Sequence, residues 1–415
     1  MLIAGLKCRL RFWRNIRFSN YFFVRANTAA LVIILVSLSS TSYLFGTPPQ
    51  FQAIFVNGNT IISPGLHTIK IELHCDKAIY MSAKIKVLFF IALLFLPAFY
   101  SKAQTIQMLH TGSNVSIRGL SVVDNKTVWV SGSEGTVGRS TDGGNTWKWI
   151  KVKGFEKTDF RDIEAFSNKT AVIMGIEAPA YILRTTDGGE NWTIVYENKA
   201  KGMFLDAMEF WNDESGIVIG DPINNKFFIT RTFDGGKSWQ NIPPQNYPIA
   251  DSGEACFASS GTNIRALNKQ EAVFVTGGFK SRLFIRDKKI ELPLLQGKQT
   301  TGANSIAVKN ASTMIIVGGD FTAKDAATKN CAITTDGGTT FSIPATPPHG
   351  YRSCVEYINK KQWITCGLNG TDITNDEGNT WQWISKQSFN VCRKAKRGKA
   401  IFFAGGGGRI GKLVY

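Results

Sequence analysis

Apolar and polar residues alternate along most of this chain in short runs broken by glycine or by polar pairs. In "IRGLSVVDNKTVWVSGSEGTVGRSTDGGNTWKWI" the pieces around Ile117, Val128, Thr136 and Lys148 each keep a period of two. That period, filled with β-branched and aromatic residues, predicts strands. The cycle returns as "FRDIEAFSNKTAVIMG", "FLDAMEFWNDESGIVIGD", "TNIRALNKQEAVFVTGGFKSRLFIRDKKIEL", "NSIAVKNASTMIIVGGD", "YRSCVEYINKKQWITCG" and "VCRKAKRGKAIFFAGGGGRIGKLVY". Each unit reads as an inner strand, a second strand ending in Gly, a third strand, a turn and an outer strand. Residues 104–415 make seven such units of about 45 residues, the mark of a radial or stacked repeat. The last unit stops after three strands, and "TIQMLHTG" near residue 104 can supply the fourth. Closing the ring that way removes the exposed sheet edges. The expected fold is all-β, a seven-bladed β-propeller.

One turn is written five times: "RSTDGGNTWKW", "RTTDGGENWTI", "RTFDGGKSWQN", "ITTDGGTTFSI" and "ITNDEGNTWQW". Its aspartates are Asp142, Asp187, Asp234, Asp336 and Asp376, at intervals of 45, 47, 102 and 40 residues. The long interval spans two units, because unit four turns at Asp287-Lys288-Lys289 instead. Gly supplies positive φ, Asp accepts backbone N–H groups, and the closing aromatic (Trp147, Trp192, Trp239, Phe341 or Trp381) can fill the wedge between sheets. These aspartates are expected to hold turns, not to catalyse or bind metal. The copies resemble the Asp-box, or BNR, repeat of sialidases, sortilin-like receptors and xyloglucanases. Together with the "VxG" strand ends and "LDAMEFWNDESGIVIGD", they make residues 104–415 similar to the photosystem II stability/assembly factor family. That resemblance implies an exported, non-catalytic assembly factor with an arginine patch near its channel. Nothing in the sequence identifies a photosystem partner.

The segment before the repeats has a different character. "MSAKIKVLFFIALLFLPAFYSKAQ", starting at Met81, has lysines, an apolar core and Ser101-Lys102-Ala103 before Gln104. It reads as a secretory signal peptide over 81–103, too short to span a bilayer. Residues 1–80 read as an upstream extension joined by a mis-assigned start; the alternative is a membrane anchor formed by the apolar run 29–45. The expected location is therefore periplasmic or extracellular, with no stable membrane insertion once the leader is cut.

Charge follows from that division. The whole chain carries +17; the first 80 residues hold +6 and the leader +3, leaving about +8 on 104–415. With no Lys/Arg stripe and no nucleic-acid module, a nucleic-acid partner is not expected, and a monomer is. Five cysteines remain (Cys256, Cys331, Cys354, Cys366, Cys392), none in CxxC spacing. No metal or cofactor is expected. Cys354 and Cys366 face each other across a hairpin, leaving open a disulfide or two buried small hydrophobes.

Propeller geometry sorts residues by face. The Asp turns lie on one face, the bottom, while inner-strand starts and second-strand ends ring the channel mouth on the top. Aligning units places Arg118, Arg161 and Arg352 at one position, with Leu205, Asn263, Asn304 and Val391 in the other four. Glu134, Glu177, Asp221 and Asp320 follow the second strands, and Glu254 lies on the long connection "PPQNYPIADSGEACFASSGTN". Three guanidiniums would clamp a carboxylate or an acidic peptide; pairing with neighbouring carboxylates is the structural alternative. A rival function is a glycoside hydrolase, sialidase-like or xyloglucanase-like, using this Arg/acidic cluster. Against it, the Arg-Ile-Pro element of sialidases is missing, and Tyr181 near Glu177, or Tyr351, fits a nucleophile only loosely. No catalytic residue is assigned. "AGGGGRIG" lies in the last unit with no helix after it, so a dinucleotide site is not expected.

Overall fold

The computed structural model describes residues 104–415; the segments read from the sequence as a leader (81–103) and an upstream extension (1–80) lie outside them. Seven antiparallel sheets form, and the only helix among the described residues is a 3-10 turn at Pro244–Asn246. Blade 1 runs Ile117–Val122, Val128–Gly132, Thr136–Ser140 and Lys148–Lys151, and blades 2 to 6 begin at Phe160, Leu205, Ile264, Thr301 and Cys354. In blade 7, Val391–Lys394, Ile401–Ala404 and Ile410–Val414 are joined on the outside by Thr105–His110. The inner strands touch in ring order, and blade 7 meets blade 1. The chain is a seven-bladed β-propeller closed by its own N-terminal strand.

Packing between blades holds the ring. Second and third strands are buried on both faces, as in "AVIMG" of blade 2, which explains their nearly continuous apolar character. Apolar clusters lie in the seams: one joins Trp129 and Val137 of blade 1 to Ile173 and Leu183 of blade 2. Another joins Val172 and Ile182 of blade 2 to Val218 and Phe228 of blade 3. Cys354, Cys366 and Cys392 sit in the last seams as free, fully buried thiols, so the open question about Cys354–Cys366 resolves to small hydrophobes and not a disulfide. Burial pushes the Cys366 and Cys392 thiols up.

The five Asp turns share one hydrogen-bond scheme, and its hub is a hydroxyl the aspartate alone does not reveal. In blade 2, Thr185 donates to Asp187 Oδ1 (2.8 Å) and accepts the N–H of Gly189 (3.0 Å). Asp187 in turn accepts the backbone N–H (3.1 Å) and the amide (2.8 Å) of Asn191. Ser140, Thr232, Thr334 and Thr374 repeat the role in the other copies. These donors hold Asp142, Asp187 and Asp336 near a pKa of about 2, led by the Thr146 hydroxyl, the Asn191 N–H and the Thr340 hydroxyl respectively. The paired glycines need positive φ: Gly188 sits at 85° and Gly189 at 91°.

Thr185→Val keeps the shape but strands the buried Gly189 N–H. Denaturant unfolding should show a loss of about 1–3 kcal/mol, the range for an orphaned buried donor, with the native fold retained.

Candidate functional site

The top mouth of the channel is built from irregularities in the inner strands. Four ladders carry a β-bulge whose extra residue is Arg118 in blade 1, Arg161 in blade 2, Asp206 in blade 3 and Asn304 in blade 5. A bulged residue leaves the pleat and is re-aimed, which suits it to line an opening. Arg118, Arg161 and Asn304 therefore share a position as the alignment expects. Leu205 does not: it stays paired with Gly220, and Asp206 takes the bulge. Asn263 and Val391 likewise pair in regular register, with Val275 and Ala404.

Arg352 requires the main correction. It lies just before its inner strand, fully buried, and Asp372 takes both its Nε (2.8 Å) and its Nη2. Its Nη1 donates to the Tyr351 carbonyl (2.8 Å) and to Asn369 Oδ1 (2.5 Å). With four of its five N–H groups used and no exposed surface, this guanidinium is closed to a ligand. The three-arginine clamp is reduced to two, and Arg352 is structural. Glu254 is also absorbed: Arg282 binds both its oxygens, Thr276 donates to Oε1 and Asp251 N–H to Oε2. It anchors the long connection, whose Glu254–Ala255 strand joins the blade 5 sheet.

The remaining acids differ in setting. Glu134 and Glu177 are exposed; the first pairs with Lys151 at 3.3 Å, and the second forms a backbone bridge with Phe204. Asp320 accepts the N–H and hydroxyl of Thr322, which hold its pKa low although burial opposes them. Asp221 accepts Cys256 N–H (2.9 Å), and burial raises it to about 6.

Arg118 and Arg161 face each other closely enough to interact. Burial and then the Arg161 charge push the Arg118 pKa down. Arg118 has one weak hydrogen bond, to the Ser259 carbonyl at 3.4 Å, and no carboxylate partner. Arg161 pairs with Asp159 at 2.8 Å, lies over the Phe204 ring at 5.9 Å and keeps 26% of its side chain exposed. The long connection crosses this mouth. Ser259 reaches Arg118 of blade 1, Asn304 of blade 5 (2.7 Å) and Tyr351 ahead of blade 6 (3.3 Å), while Tyr351 donates to Asn304 at 2.7 Å.

Two residues the alignment missed complete the mouth. Asp206 is fully buried and neither carboxylate oxygen has a partner; burial, then the nearby Asp221, raise its pKa strongly. Tyr351 is 3% exposed, and burial pushes its phenol up to about 12. Such a phenol is a hydrogen-bonded strut, not a nucleophile. Tyr181 is directed at Glu197 and packs edge-on against Phe155, in the outer half of blade 2. An anchor on the motif Phe-x-Asp pairs Asp206 with Asp162; the ladder pairs it with Arg161. Only the bulge reveals the difference.

Below the mouth, charges bridge the channel. Arg265 of blade 4 contacts Glu209 of blade 3 (3.4 Å) and Glu356 of blade 6 (3.5 Å), while Arg393 of blade 7 reaches Glu209 (3.8 Å). Lys396 of blade 7 binds Glu164 of blade 2. Because these blades are not all neighbours, the pairs must cross the ring. Burial opposes the Arg393 charge, but Glu356 and Glu209 outweigh it and raise its pKa. Asp162, in the same inner shell, is raised by burial to about 8 while accepting the Met208 N–H at 2.7 Å.

No protein-family model and no curated protein matches this chain. Solved structures do. It is similar to YCF48 bound to D1 peptide, with a TM-score of 0.52 and 18% identity over 77% of this chain and 97% of that one. YCF48 from Cyanidioschyzon merolae gives a TM-score of 0.54 and 16% identity over 74% and 98%. The WD40 beta propeller domain of Doa1 gives 0.51 and 15% over 75% and 97%. At these identities the likeness establishes the β-propeller fold.

Asp162 and Asp221 keep their protons in the folded chain well above the ordinary carboxylate pKa of 3.8. A raised folded pKa gives stability that is complete below about pH 4 and lost as pH climbs through the folded values. Stability should therefore fall between about pH 4 and 8, and Asp162→Asn should flatten that decline in pH-resolved thermal melts.

Proposed function

We propose that this protein is an exported, non-catalytic binding propeller whose channel mouth holds the carboxylate of a protein segment. The observation that carries the reading is Arg118. It is a half-buried guanidinium with one weak contact and no acidic partner, set beside a second arginine. Arg118 is unpaired and Arg161 holds one acid, Asp159, so the partly desolvated mouth keeps a surplus positive charge that favours an anion, and a planar fork favours a carboxylate. Phe204 beside Arg161 and Phe257 against Phe321 supply apolar walls for a peptide. The five Asp turns are read as Asp boxes, and the similarity to YCF48, one structure of which is titled as bound to a D1 peptide, supports a peptide ligand. The mild positive charge gives no nucleic-acid footprint, and the chain acts as a monomer in this reading.

The carboxylate is tested with a labelled acidic peptide ending in a free carboxylate and with its amidated form. Arg118→Gln should weaken the free form about tenfold, the worth of one charge-assisted hydrogen bond, and amidation should have a similar effect. Unchanged affinity in both comparisons sinks the proposal. Export has its own check: N-terminal sequencing of the secreted protein should begin at Gln104.

One feature favours the hydrolase reading instead, the pair of buried carboxyls Asp206 and Asp221 with raised pKa values. A general acid needs such a proton. Turnover of chromogenic glycosides that disappears in Asp206→Asn would move the assignment to that class.

A further inference from the structure

The bottom face carries a second site, where the repeat is broken. Each Asp-turn aromatic enters the seam with the preceding blade: Trp192 the seam of blades 1 and 2, Trp239 that of 2 and 3, Phe341 that of 4 and 5, Trp381 that of 5 and 6. Trp147 fills the closing seam. Blade 4 has lost the turn, and the seam of blades 3 and 4 receives no such aromatic. A cavity of about 380 Å³ opens there, walled by Trp211, Ile229, Phe274 and Phe284. That is within the ordinary range of ligand pockets, about 300–1,000 Å³.

A polar vacancy accompanies the apolar one. Three of the five turn motifs open with arginine, and in blades 1 and 2 it reaches the turn of the next blade. Arg139 lies against Gly188, and Arg184 Nε donates to the Gly235 carbonyl at 3.0 Å. Arg231 holds the same place in blade 3 but finds no Asp turn ahead of it. Its Nε is shut off from solvent with no partner, and its guanidinium is held between Trp211 (5.1 Å) and Phe233 (5.2 Å). Phe233 is 58% exposed at this edge. Arg231, Arg286, Lys288 and Lys289 line the cavity against only Glu271 and Asp287, an excess of two positive charges.

We infer that the seam of blades 3 and 4 docks a segment of a partner protein carrying an aromatic side chain flanked by carboxylates. The aromatic ring takes the place left by the missing turn residue, a backbone carbonyl accepts an Nη–H of Arg231, and the flanking acids meet Lys288 and Lys289. The shape is that of the other seams. The sign of the charge selects an acidic segment. The site lies on the Asp-turn face, opposite the channel mouth, and does not depend on the reading of Arg118.

The probe is an acetylated, amidated peptide, Glu-Asp-Gly-Gly-Asn-Thr-Trp-Glu, built on residues 142–147 of this chain. Titrated into the isotopically labelled protein, it should shift the Trp211 indole N–H and the ring signals of Phe274 and Phe284 in a saturable way. The same peptide with alanine for tryptophan should not. Arg231→Gln should weaken binding roughly fivefold or more, as loss of one hydrogen bond to a charged donor predicts. Because Arg231 also supports the seam, the exposed pair Lys288→Glu and Lys289→Glu serves as a second variant. It should weaken binding several-fold with an unchanged melting temperature. Absence of saturable shifts, shifts confined to the mouth around Arg118, or affinity untouched by the charge-reversed pair would each overturn the inference.

Discussion

Closure of the ring depends on filling the wedges between blades. Twisted sheets arranged radially meet near the axis and diverge outward, so each seam needs bulk at its wide end or loses its dispersion contacts. The Asp turn supplies that bulk and fixes it. The hydroxyl of Thr185 and the carboxylate of Asp187 hold the turn, and the turn delivers Trp192 into the cluster containing Trp129 and Ile173. Local hydrogen bonding and long-range packing are thus one device, repeated. The last seam is served by the N-terminal strand, where Ile106 and Met108 pack on the blade 7 cluster.

Electrostatics organises the interior once the ring is closed. Side chains at the inner strands have little water, so each charge must find a partner across the channel. Arg265, Glu209, Glu356 and Arg393 do this with one another, tying blades 3, 4, 6 and 7 together. The mouth behaves differently. Asp206 is buried without a partner, and burial raises its pKa strongly, while the acid that pairs with Arg161 is Asp159.

The parts of this organisation visible in the sequence are those written locally. The Asp turn declares itself within eleven residues, and strand alternation places the blades, because both depend on neighbours along the chain. The mouth depends on register. A bulge after Ile117, Phe160 and Leu205 displaces the ladder by one residue, so an alignment on aromatic and acidic landmarks puts Leu205 where Asp206 stands and puts Arg352 in company it does not keep. Arg352 is spent on Asp372, a residue of the third strand of its own blade, twenty positions away. Glu254 is spent on Arg282 in the same way. Nothing in the composition of a strand announces such pairings, and they decide which arginine is free.

A repeat architecture makes its own departures informative. Stability in such a ring is close to a sum of unit and neighbour terms, so a unit can shed part of its pattern if the seam finds other support. Blade 4 sheds its turn, and Phe227, Phe274 and Phe284 collapse on one another in its seam, the last two stacked at 4.4 Å. That cluster stabilises the inner part of the wedge and leaves the rim open, with Arg231 facing the space. The long connection between blades 3 and 4 departs from the pattern at the opposite end of the ring, where it crosses the mouth to Arg118. Both departures belong to the same pair of blades. The regular blades carry the ring, and the irregular junction departs from the pattern on both faces.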